Sequence, residues 1–137
     1  MFFSETSTLQ WYRLWWTFGW CWVAITWYLS LMASPPMPHI DFAYTDKIYH
    51  CLGYAWLMGW FGNIYHRPLP RLSYAVFLVT MGVAIEFIQG MSHYRQYEIA
   101  DMVANTIGVG FGFVLTLGPM RLALRWVESR FIGLKAQ

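Results

Sequence analysis

The sequence is poor in charge. Of its 137 residues only 12% are Asp, Glu, Lys or Arg, about half the share of an ordinary soluble domain and too little to coat a water-facing globule. It has only two cysteines, which excludes a disulfide-stapled scaffold. Low hydrophobicity, the mark of a disordered chain, is also missing, because 58% of the residues are hydrophobic. Nor is there a basic surplus: nine Lys and Arg against seven Asp and Glu leave a net charge of +2. Those cations are scattered between apolar runs, which excludes a basic nucleic-acid module.

What the chain does have is apolar length. Residues 14–33 and 102–120 carry no formal charge, 48–65 carry one histidine, and 72–91 carry one glutamate. A helix needs about 20 residues to cross the hydrocarbon layer of a bilayer, and it satisfies its own backbone there. The expected fold class is therefore all-α: one integral-membrane domain over 1–137, a four-helix bundle with spans at about 14–33, 47–65, 72–91 and 101–119. The first run is kept as a helix rather than a cleaved leader, because it is too long and carries five tryptophans between Trp15 and Trp27. Ser34-Pro35-Pro36-Met37-Pro38 and Arg67-Pro68-Leu69-Pro70 are read as breaks between helices.

Orientation follows from the cations. Arg13, Arg67, Arg71, Arg121, Arg125, Arg130 and Lys135 flank the odd-numbered connections, and only Lys47 and Arg95 the even ones. The positive-inside rule then puts both termini in the cytoplasm, in a multi-pass protein of the plasma (inner) membrane, with the segments around 34–47 and 92–101 outside. From Arg121 to Lys135 the chain reads as a short amphipathic interfacial helix whose basic face, with Arg121, Arg125 and Glu128 at helical spacing, meets anionic headgroups. Cys21 and Cys51 fall at different depths and are expected as free, buried thiols. His39, Asp41, His66, His93 and Glu98 read as solvated loop residues, and Asn63 as a helix stop.

Ionisable groups are costly in hydrocarbon, so those at membrane depth are the candidates for function. Three helix ends gather them. Asp46, Lys47 and His50 open the second helix; Glu86 and Gln89 close the third; Asp101 and Asn105 open the fourth. Asp46 and His50 are four apart, Gly82, Glu86 and Gly90 continue by fours, and Asp101, Asn105, Gly108 and Gly112 run at 4, 3 and 4, so each set is one stripe, expected to face inward. Gly108 and Gly112 also form a small-xxx-small face suited to close helix packing in lipid.

In this order Asp46-Lys47-x-x-His50, Glu86-x-x-Gln89, Arg95 and Asp101-x-x-x-Asn105-x-x-Gly108 with Gly112 resemble the signature of the VanZ-like membrane proteins over roughly residues 41–115. Ser92-His93 depart from that pattern, where a proline is expected. The founding member of the family is associated with low-level resistance to teicoplanin, a glycopeptide that acts on cell-wall precursors outside the membrane. The resemblance thus implies an outward-facing polar site in the cell envelope.

Three readings of the cluster stand side by side. In the first it is an ion-paired network in which Lys47 and Arg95 neutralise carboxylates and tie helix ends together. In the second it binds a lipid-linked or cell-wall-precursor headgroup, with Lys47 and Arg95 on phosphate, Gln89 and Asn105 as neutral partners, and Tyr94 and Tyr97 flanking. In the third it is a hydrolase or transferase in which Asp46 orients His50 as base and Glu86 and Asp101 carry protons. No cofactor is required and no metal motif is present beyond the cluster itself, although one histidine with carboxylates suits a divalent cation, Mg²⁺ or Mn²⁺ better than Zn²⁺. The partner implied throughout is the lipid bilayer. A transport path is not expected from four short helices without an inverted repeat, and the sequence is silent on oligomeric state.

Overall fold

The computed structural model describes residues 9–33, 44–93 and 97–131. They form five helices and no strand: α1 (Tyr12–Leu31), α2 (Thr45–Ile64), α3 (Pro68–Met91), α4 (Ile99–Leu117) and the short α5 (Ala123–Phe131). Two of them, α3 and α4, are long and apolar enough to cross a membrane. α1 and α2 are 20 residues each, with more tryptophan and tyrosine in their make-up.

Helix α3 starts earlier than the expected break at Pro70. Pro68 and Pro70 fall in its first turn, where a missing N–H costs nothing because no carbonyl precedes it there. The two prolines therefore begin a helix rather than interrupt one.

α2 is the central helix and touches each of the other four. Its closest partner is α4, and glycine is the reason. A Cβ at Gly108 would lie 3.0 Å from the carbonyl carbon of Cys51, and one at Gly112 would lie 3.1 Å from the amide of Gly59. Only hydrogen fits between such backbones, so the small-xxx-small face expected from the sequence is the α2–α4 contact itself. Further along, Gly62 of α2 accepts the side chain of Thr116 in the same way.

α1 is held against α2 by tryptophans rather than glycines. Trp15 meets Trp60 edge-on at 5.9 Å between ring centroids, Trp22 meets Trp56 at 5.9 Å, and the Trp60 indole donates to the Trp15 carbonyl at 2.9 Å. Such edge-to-face pairs add about 0.5–1.5 kcal/mol each beyond their buried area.

α5 departs from expectation in one respect. It does carry Arg125 and Arg130 outward, but Glu128 is turned in and only 1% exposed. Its carboxylate accepts from the backbone N–H groups of Gln10 and Trp11 at 3.0 and 2.9 Å and from the Trp15 indole at 2.7 Å. An anion thus caps the start of α1, where unsatisfied N–H groups and the helix dipole both favour it. Arg71 is also buried and donates to the carbonyls of Tyr65 and Gly62, closing the end of α2.

Large apolar side chains cover much of the surface, and a polar set is buried beside the hydrophobic core. Among the described residues 28 large hydrophobic side chains are exposed, including an outer stripe of α4 made by Ile99, Val103, Ile107, Phe111 and Val114. Inside lie Asn63, Arg71, Glu86, Gln89, Asp101, Asn105, Thr116 and Glu128. An apolar surface this continuous is unusual for a soluble monomer.

Several single-residue expectations change. Cys21 is free but exposed and Cys51 half-buried, because Cys21 falls on the face of α1 turned away from α2. His66 is not simply solvated: its Nε2 is 2.9 Å from the carbonyl of Arg121. Asn63 precedes the last residue of α2 and bonds both the Gly59 carbonyl and the Leu124 amide, which makes it a tie to α5. Gly90 is exposed rather than inward, with Tyr97 resting against it. His39, Asp41, Tyr94, Arg95 and Lys135 lie outside the described residues.

Candidate functional site

The alternation of the helices brings the start of α2, the end of α3 and the start of α4 to one end of the bundle. There the charged residues meet. Lys47 lies 2.9 Å from Asp101 Oδ1 and also pairs with Glu98. Glu98, expected as a solvated loop charge, is exposed yet engaged, because it occupies the N-cap position of α4 directly across from α2.

His50 is enclosed by three of these groups. Its Nδ1 is 3.0 Å from Asn105 Oδ1, while its Nε2 stands 3.9 Å from Asp46 Oδ2 and 3.9 Å from Asp101 Oδ2. The last two distances exceed hydrogen-bond length. Where Nδ1–H donates to Asn105 Oδ1, Nε2 is the ring nitrogen that faces both carboxylates. Asp101 and Asn105 are buried, whereas the Asp46 side chain is 52% exposed, so the Asp46 end of the α2 stripe faces outward rather than into the bundle.

Glu86 and Gln89 serve the neighbouring junctions. Glu86 is 1% exposed and its Oε2 accepts the backbone N–H of Glu98 at 3.3 Å, an anion placed at the start of α4. Gln89 donates to the carbonyl of Ser30 at 2.6 Å, satisfying one of the last carbonyls of α1. Both are therefore brought to the same end as His50 and Asp101, and both fasten one helix terminus to another.

Beside this cluster opens a cavity of about 370 Å³ whose walls come from α1 and α2. Trp22, Ile25, Leu29, Leu52 and Trp56 give it apolar sides, and Asp46 and His50 form its polar end. The contribution of α1 was not anticipated, since no α1 residue stood among the candidates. One signal pointed to it: Thr26 and Ser30, four apart in the apolar second half of α1, with Trp22 another four before. On α2 the wall continues along one face from Asp46 through His50 to Tyr54, which is 2% exposed and whose hydroxyl has no hydrogen-bond partner.

The arrangement offers a slot that is apolar along its length and ionic at one end, with an imidazole held in one orientation. No family model, curated protein or solved structure matches this chain, so what the site does rests on its own geometry.

Proposed function

We propose that this chain is a VanZ-like protein of the cell envelope, crossing the plasma membrane four times with both termini in the cytoplasm. Its slot, at the outer leaflet, receives an amphipathic ligand: the headgroup of a lipid-linked cell-wall component at the Asp46 and His50 end, and part of its chain along Trp22, Ile25, Leu52 and Trp56.

The observation that carries the reading is the amphipathic cavity between α1 and α2. A lipid is apolar along its tail and polar at one end, as the cavity is, and ligand sites commonly pair apolar walls with a few convergent polar groups. The exposed apolar stripes, and the buried polar groups beside the hydrophobic core, support membrane embedding. Asp46 accepts amine or hydroxyl groups of the headgroup, and Arg95, from its position in the sequence, is the cation for phosphate. The resemblance to VanZ-like proteins extends the proposal to teicoplanin susceptibility, read as a change in inhibitory concentration on expression.

A second reading has an observation in its favour. Lys47 is already matched to Glu98 and Asp101, as a purely structural network requires. Filling the slot separates the two. A Cβ at Gly53, on the cavity wall, meets nothing within 4 Å, so Gly53→Leu fills space without a backbone clash. Mass spectrometry of lipids retained by the purified protein should show a specific species in the parent and its loss in Gly53→Leu at unchanged melting temperature. Equal lipid content in both proteins leaves the structural network as the better account.

A further inference from the structure

We propose that Asp46, His50 and Asp101 form a binding site for a divalent cation, and that Mn²⁺ suits its donors best. One ligand atom from each of the three lies within 4.8 Å of the others. Three atoms so placed share a point no farther than about 2.8 Å from any of them, and a small rotamer change at Asp46, whose side chain is half exposed, shortens that to the roughly 2.0–2.6 Å of divalent-cation bonds.

The surroundings argue for an ion at that point. His50 Nε2 and one oxygen from each of Asp46 and Asp101, both 3.9 Å from it, converge on one point, where a cation is attracted to both carboxylates. Asp101 and His50 are both held from behind. Lys47 takes Asp101 Oδ1 and leaves Oδ2 toward His50, and Asn105 takes His50 Nδ1 and leaves Nε2 toward the carboxylates. Outer partners of this kind fix the tautomer and direction of metal ligands.

Two oxygens and one imidazole nitrogen form a mixed hard and borderline set, which suits Mn²⁺ better than all-oxygen Ca²⁺ or a thiolate-seeking ion. Three protein ligands leave coordination positions open toward the cavity. The site does not depend on the headgroup reading; if both hold, the ion supplies the positive charge that an anionic headgroup needs beside two carboxylates.

The test uses the full chain, purified in detergent, stripped with EDTA and titrated with MnCl₂ while electron paramagnetic resonance follows free aqueous Mn²⁺. One Mn²⁺ per chain is expected. Asp46→Asn and His50→Gln should each weaken binding tenfold or more, and Asn105→Ala, a positioning change, should weaken it by about 10–100-fold. If His50→Gln fails to fold, Asp46→Asn decides, since its exposed side chain can be altered without disturbing the core. No bound Mn²⁺, or an affinity unchanged in Asp46→Asn, overturns the proposal. Lipid retained by the same preparation is read separately: Mn²⁺ without lipid removes only the headgroup reading, and lipid without Mn²⁺ removes only the metal site.

Discussion

Replacing Gly108 with alanine should unseat the site without altering any of its side chains. The added methyl group would meet Cys51 at 3.0 Å from its carbonyl carbon, closer still to its oxygen, and Ala55 at 3.1 Å from its amide nitrogen. Every obstacle is backbone, so no rotamer change relieves it and α4 has to move off α2. Overpacking of this type costs about 1–3 kcal/mol, and a shift of even 0.5–1 Å forfeits roughly a quarter to a half of the dispersion energy along the seam. The control is Gly110, two residues on, where a Cβ meets nothing within 4 Å. There alanine should gain up to about 1 kcal/mol of helix propensity. The two variants should therefore differ by about 2–4 kcal/mol, on the order of 10 °C in melting temperature, measured by circular dichroism in mild detergent. The contact between His50 Nδ1 and Asn105 Oδ1, which bridges the same helices, should loosen in Gly108→Ala alone, seen as a shift of the His50 ring nitrogens by NMR. If Gly108→Ala is as stable as Gly110→Ala, the close α2–α4 approach is wrong, and with it the placement of the site.

Other perturbations probe the remaining parts. Glu128→Gln keeps the shape but removes the charge from three hydrogen bonds at the start of α1, and should cost about 2–4 kcal/mol with a change in Trp15 fluorescence; a neutral result would remove Glu128 as the cap. Lys47→Met leaves buried Asp101 without its counter-ion and should cost about 3–5 kcal/mol, whereas Lys47→Met with Asp101→Asn should recover much of it; simple additivity in melting temperature would mean the two do not interact. Cys21, exposed on α1, should react with a membrane-permeant maleimide and resist a charged one in intact vesicles, and ready labelling by the charged reagent would argue against burial in lipid. In a cysteine-free background Met37→Cys should label from outside the cell and Leu69→Cys should not; the reverse would invert the topology.

Much of this architecture was readable from composition and spacing. Long uncharged runs announce helices because only a helix satisfies its backbone away from water, and the spacing of Asp101, Asn105, Gly108 and Gly112 fixed one face of α4 before its partner was known. Alternating chain direction then sends the starts of α2 and α4 and the end of α3 to the same level. Those conclusions need only the geometry of a single helix. What depended on contacts between helices was not legible. α1 is apolar on every side, so periodicity does not reveal which face meets α2, and with it went the cavity wall of Trp22, Thr26 and Ser30 and the exposure of Cys21. Glu128 reads from sequence as part of a headgroup-facing interfacial helix, because its partners, Gln10, Trp11 and Trp15, are more than a hundred residues away. Glu98 found Lys47 across 51 residues. Local spacing determines which residues share a face; which faces touch is settled by the packing of whole helices, and that is where the histidine, the carboxylates and the slot beside them are brought together.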